Sequence, residues 1–315
     1  MTQTMAKKNQ PVGSRLAKWW ARYWQLTLML LVPFCFVALF SYGPMYGLQI
    51  AFKKFKAIDG IWGSKWVGFD QFIKFFNNYQ FWSTLRNTVT ISLYSLIAGF
   101  PIPILLAVSL NCCNNLKFKK AVQLVTYAPH FISTVVMVAI IIQILGPKYG
   151  LVNNVIKALG GEPVMFMATG KFFYHIYVWS GIWQGMGWSA IIYISALSGV
   201  DPSLHEAAIV DGASRVKRIW HIDLPGIAPT IIILLIMNAG SIMSVGYEKV
   251  YLMQNSTNTD YSEVISTLVY KIGLKQSIPN YSYSTAIGLF NNIVNFILLV
   301  TVNYIAGKLG ETSLW

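Results

Sequence analysis

Six runs of this 315-residue chain, at 25–46, 87–110, 121–146, 174–198, 228–247 and 284–306, contain no Asp, Glu, Lys or Arg. A helix crossing ~30 Å of hydrocarbon needs ~20 mostly apolar residues, and an unpaired charge inside it is costly. With 24 basic and 11 acidic residues all confined to the ends and connections, the pattern predicts an all-α, polytopic membrane bundle of six transmembrane helices. Pro33, Pro44, Pro101 and Pro103 lie inside or beside runs. They are expected to kink helices, because a membrane bundle can re-satisfy the freed backbone groups.

Composition supports the same class. Hydrophobic residues make 55% of the chain and charged ones 11%, against about 25% charged in a soluble domain. That excludes a disordered chain, a collagen-like repeat and an ordinary soluble enzyme. The net charge of +13 comes from bases scattered between apolar runs, not from one basic face, so nucleic acid is not an expected partner. Residues 1–24 read as an amphipathic cytoplasmic segment whose Trp19, Trp20, Tyr23 and Trp24 sit at the lipid headgroups beside Arg15, Lys18 and Arg22. The first run is too long for a signal-peptide core and is expected to remain as an anchor. Residues 25–306 form the membrane domain and 307–315 a tail. With the N-terminus inside, Lys and Arg divide equally, 12 on each side. Only the density of Lys117, Lys119 and Lys120 favours cytoplasmic termini.

The chain offers no catalytic or metal constellation. Cys35, Cys112 and Cys113 lack a C-x-x-C spacing and are expected to be reduced packing residues. The four histidines are scattered and read as structural. Gly170-Lys171 is followed by Phe172, so the chain has no phosphate-binding loop of its own.

The connection at 199–227 is different. Asp201 can cap a helix opening on Pro202, in which Leu204, Ala207 and Ala208 share a face, and Gly212 can end it in the left-handed conformation. After Ser214 a second short helix places Val216, Ile219 and Trp220 opposite Arg215 and Arg218, until Leu224-Pro225 stops it. The result is a helix-Gly-helix elbow; from spacing alone it could equally be a loop lying on lipid headgroups.

Glu206-Ala207-Ala208, three residues, Gly212, nine residues, then Ile222-Asp223-Leu224-Pro225 resembles the EAA loop of permeases in bacterial binding-protein-dependent ABC importers. The stretch from Pro44-Met45-Tyr46-Gly47 to Lys53, the stretch from Gly60-Ile61-Trp62-Gly63 to Phe69, and the closing Glu311-Thr312-Ser313-Leu314-Trp315 are similar to the branch that imports oligosaccharides of rhamnogalacturonan or alginate. The resemblance implies the type I importer permease fold and a multi-pass subunit of the bacterial cytoplasmic membrane. It implies four kinds of partner: a second homologous permease, two ATP-binding cassette subunits that hold ATP and Mg in place of any cofactor here, an extracellular solute-binding lipoprotein, and the oligosaccharide. It places 199–227 in the cytoplasm as the coupling loop. There Glu206 meets a basic group, Ala207 and Ala208 permit close approach, Gly212 sets the bend, and Asp211, Ile222, Leu224 and Pro225 complete the element.

Sugars are held by aromatic faces and by amides and hydroxyls. Gln184 with Trp188, Asn238 with Ser241, and Asn291 with Asn295 each share a helical face and are the candidate substrate path, although each pair could equally be interhelical glue. Trp179 and Trp183 read as lipid or interface packing, and Gly181-x-x-x-Gly185 as a helix contact. No span offers a full charge, so an amino-acid substrate is disfavoured. A uronate carboxylate would have to be met by Asn, Gln or Trp donors, with Lys53, Lys54 and Lys56 aiding capture outside. An ion-coupled transporter would need intramembrane Asp, Glu or His for its coupling step, and a channel a filter or charged ring; neither explains the elbow.

Overall fold

The computed structural model describes residues 12–308, with side chains from Trp20 onward. Residues 1–11 of the N-terminal segment and 309–315 of the tail, including the Glu311 to Trp315 stretch, lie outside the described residues. The described chain is helical apart from short turns and one hairpin, in which Lys53–Lys54 pairs antiparallel with Lys65–Trp66.

The runs become helices, with two corrections. Trp20–Phe52, Phe81–Asn111, Arg215–Gly240 and Tyr281–Lys308 are long and apolar enough to cross a membrane. The helix Gly170–Leu197 is as long, at 28 residues. It is rich in Gly, Trp and Tyr and falls short of the same apolar standard. The third run is not one straight span: Leu116–Phe131 and Thr134–Ile144 meet at 102°. Pro129 sits in a tightened turn at Ala128–Phe131, and Ser133 starts the second piece by accepting the Val136 N–H at 3.3 Å. A proline followed by an N-cap is a stop and a restart, which a hydropathy reading passes over.

The fifth run is shifted. Its helix ends at Gly240, and residues 241–246 form a turn before the short helix Tyr247–Met253. At its other end the helix does not stop at Leu224-Pro225; it continues from Arg215 through a widened turn at Ile219–Asp223. There Leu224 N–H bonds to Ile219 O, five residues back, so the turn is re-registered ahead of Pro225. A single-turn widening is a known way of accommodating a helix defect.

Pro33 stays inside the first helix, and Pro44 lies early in the tightened turns of Gly43–Phe52. Pro101 opens the second half of the Phe81–Asn111 stretch, where its missing N–H is harmless; Pro103 lies two residues on, in the same first turn, buried.

The Gly170–Leu197 helix is the centre of the bundle. Towards the elbow it packs Ala190, Tyr193 and Leu197 with Ala107, Val108 and Ile227. Towards the other end Phe173 packs with Ile91, Met137, Val138, Val250, Met253 and Val264. Many large apolar side chains stay exposed, among them Phe34, Ile97 and Leu124 at 73, 71 and 72%. On a soluble protein such a surface would be an association liability; in lipid it costs nothing, and cohesion comes from close packing and buried polar contacts. Asn87 supplies one such contact: its amide donates to Asp260 O and Glu263 O at 2.9 and 3.0 Å and accepts from Tyr174 Oη at 2.7 Å. The 241–280 connection is thereby tied down onto the bundle. Within it the buried Glu263 pairs with Lys271 and accepts from Thr267 Oγ1 at 2.8 Å.

Candidate functional site

Two features assemble on this frame, an exposed elbow at one end and a cavity within the bundle.

In the elbow, Asp201 accepts the Ser203 N–H at 2.9 Å and caps the helix Pro202–Val210. That bond holds the Asp201 carboxyl below its ordinary range. Gly212 takes φ +73°. Around it Ala213 N–H bonds Ala208 O at 2.8 Å and Gly212 N–H bonds Ile209 O at 3.0 Å, the reciprocal pair of a helix ended by a left-handed residue. Ser214 Oγ then caps the next turn through Lys217 N–H at 3.4 Å. Glu206, Ala207 and Asp211 are exposed and Ala208 half-buried. Around them Leu204, Ile209, Val210, Val216 and Trp220 are 53 to 87% exposed. Ile222 and Leu224 are half-buried in the continuing helix, and Pro225 is exposed.

The residue fastening the elbow to the bundle is one that sequence reasoning missed. Asp223 is 2% exposed. Its Oδ1 accepts from Asn111 Nδ2 at 3.2 Å, at the end of the second span, and lies 3.4 Å from His205 Nε2. One carboxylate oxygen therefore joins the second span and both arms of the elbow. Cys112 is next to this junction, and burial, then the Asp223 charge, push its thiol up, as suits an unreactive packing cysteine.

The cavity, about 490 Å³, lies between the second, fourth and fifth spans. Gln184, Asn238 and Ser241 line it together with Ser92, Ser95 and Ser189. Gln184 also donates to Ile132 O at 2.8 Å, bracing the break in the third run. Asn238 turns back to Leu234 O on its own helix at 2.7 Å. The remaining candidates are elsewhere. Trp188 does not line this cavity; its ring stacks on His130 with centroids 4.5 Å apart. Asn291 lines a second cleft with Tyr247, Tyr270 and Tyr281. Asn295 is buried, accepting Met243 N–H and donating to Ser244 Oγ, both at 2.8 Å, so it braces the turn after the fifth helix. Lys53 is also engaged, 8% exposed and bonded to Ile61 O at 2.7 Å; of Lys53, Lys54 and Lys56 only the last two face solvent.

Two sequence readings change here. Gly181 and Gly185 line the cavity instead of making a helix contact. And the cavity does hold a charged side chain: Lys249, from the helix Tyr247–Met253, is the one charged residue among the described residues lining it. Hydropathy could not show this, because Lys249 sits outside every apolar run and reaches the cavity only when the connection folds back.

Residues 99–311, which include the elbow and all but the first part of the cavity wall, match the family model of the binding-protein-dependent transport system inner membrane component. The chain belongs to this family. It is the permease component of a bacterial ABC importer. Family relatives in Bacillus subtilis include the polygalacturonan/rhamnogalacturonan transport system permease protein YteP, 42% identical over 92% of this chain and 90% of that one. Another is protein LplB, 41% identical over 92% of this chain and 91% of its own. Among solved structures, a chain of the bacterial alginate ABC transporter in complex with an alginate pentasaccharide-bound periplasmic protein superposes with a TM-score of 0.86. It is 38% identical and covers 95% of this chain and all of its own.

Proposed function

We propose that this chain is one half of a membrane pathway that moves oligosaccharides from an extracellular binding protein into the cell through the cavity at Gln184, Asn238 and Ser241. The elbow at 203–225 lies in the cytoplasm, docked on one of two ATPase subunits that carry the ATP and Mg. Both termini are cytoplasmic, 1–24 lying along the headgroups and 307–315 beyond the sixth span. A second permease completes the pathway. The Trp20–Phe52 stretch supports it, since its most apolar window has no residue buried within this chain. The names of the relatives, for polygalacturonan and rhamnogalacturonan permease and for alginate transport with a periplasmic protein, support an oligosaccharide substrate and an external delivery protein.

The observation carrying this reading is the elbow: a stiff, exposed, apolar-bearing turn that runs without interruption into the fifth span, from Arg215 to Gly240. A rigid lever of this kind can turn the closing of two ATPase subunits into rocking of the spans, and small side chains at Ala207 and Ala208 let a groove approach closely. Gly212→Pro cannot keep φ +73°, and Glu206→Lys reverses the charge beside the dock. Both variants should insert normally, copurify poorly with the ATPase and lose substrate-stimulated ATP hydrolysis. Full copurification and stimulation at normal expression would show that this loop is not the coupling element.

A further inference from the structure

Lys249 reaches the cavity wall from a helix that is itself held in place. Its helix is fixed from behind by Val250 and Met253, 0 and 1% exposed, packed against Ile91, Met137 and Phe173. Its Nζ donates to Tyr177 O at 2.7 Å and stands 4.4 Å from the centre of the Tyr177 ring. Gly181, one turn further, makes room: a Cβ there would lie 3.1 Å from Nζ. Tyr177, Gly181 and Gln184 share one face of the fourth span, so the ammonium stands on the same wall as the Gln184 amide, with Asn238 and Ser241 on the fifth span also lining the space. An ammonium has three donors; one is used by Tyr177, and the described residues give the other two no acceptor.

We infer that Lys249 is the group of the transport path that reads the carboxylates of a uronate-containing oligosaccharide. This deepens the reading of the cavity as a sugar path and rests on it. A carboxylate arriving beside Nζ gains charge-assisted bonds, while the amide and hydroxyls around it take sugar hydroxyls. No Asp or Glu lines the cavity among the described residues, so an acidic guest meets no like charge there. Burial holds the Lys249 pKa down to about 8. The group is thus charged at neutral pH and loses its charge as pH rises through about 8, unlike an exposed lysine at about 10.4. The other titratable groups lining the space are the phenols of Tyr177 and Tyr193. The helices Thr134–Ile144 and Leu224–Gly240 bring no titratable side chain; Ile265–Tyr270 brings Tyr270, stacked on Tyr247, and Lys249's own helix carries Tyr247, Glu248 and Tyr251, none lining the cavity.

The test is uptake by the complete importer, with its partner permease, ATPases and binding protein in proteoliposomes, between pH 6.5 and 9.5. The probes are tetramers of galacturonate, of mannuronate and guluronate, and of neutral galactose. The wild type should take up an acidic tetramer, with uptake falling as pH passes about 8. Lys249→Gln should lower that uptake tenfold or more, chiefly through KM. Lys249→Arg, whose guanidinium stays charged, should recover most of it and lose the alkaline fall; the binding protein is common to both, so the difference belongs to position 249. Wild-type levels in Lys249→Gln, an Arg variant as poor as the Gln variant, or the same alkaline fall in the Arg variant would overturn the inference. Uptake of the neutral tetramer alone would overturn it while leaving the sugar path intact. Uptake of none of them would instead remove the oligosaccharide reading on which it rests.

Discussion

At the scale of single residues, Asp223 shows how a junction is held. It occupies the unspecified position of the Ile222-x-Leu224-Pro225 pattern, so the motif gave no reason to single it out. Yet it is buried and receives both Asn111 and His205. Asp223→Ala would remove the acceptor that joins Asn111 and His205, a loss of about 1 kcal/mol for a hydrogen bond to an exposed amide. A lower melting temperature of the purified permease is expected, with weaker ATPase copurification; Asp223→Asn keeps an acceptor oxygen and should recover part of both. An unchanged melting curve for the alanine variant would mean that the junction does not hold the elbow. Gln184, Asn238 and Ser241 were legible as candidates because each shares a helical face with a second polar or aromatic side chain. What each amide bonds to was not legible: helical spacing gives the face but not the neighbour, and Trp188, on the face of Gln184, and Asn295, on the face of Asn291, are engaged with His130 and Ser244.

At the scale of elements, helix existence was legible and helix continuity was not. The elbow could be read in outline because its signals are local: Asp201 before Pro202, Gly212 at the bend, Ser214 before the next turn. The break in the third run had its signals too, in Pro129 and Ser133, but an unbroken apolar stretch outweighed them. Conversely Pro225 suggested a stop where the widened turn carries the helix through. The direction of the elements is tested by cysteine labelling of intact cells, in a chain whose three native cysteines are replaced. Ile278 is 85% exposed in the connection before the helix Tyr281–Lys308, and Val210 87% exposed on the elbow; Asn258, in the same connection as Ile278, is 1% exposed and unsuitable. A membrane-impermeant maleimide should label Ile278→Cys directly and Val210→Cys only after permeabilisation. The reverse order would invert the bundle.

At the scale of the whole molecule, the chain resembles an incomplete machine. Its first span packs on little of the rest, its elbow leaves Val210 and Trp220 uncovered, and its cavity is walled by three spans with a lysine brought in by the connection that follows the fifth. Each exposed element matches a partner expected of an importer: a second permease, an ATPase and a delivered sugar. The central claim is that the elbow drives the cavity between two accessible states. A cysteine at Ser241, on the cavity wall, tests it most directly in the complete importer reconstituted in vesicles, labelled from the extracellular face by an impermeant maleimide with and without ATP and vanadate. The rate of labelling at Ser241→Cys should change several-fold between the two nucleotide conditions, and Gly212→Pro in the same protein should abolish the change. Equal rates in both conditions, or a change that survives Gly212→Pro, would contradict the account.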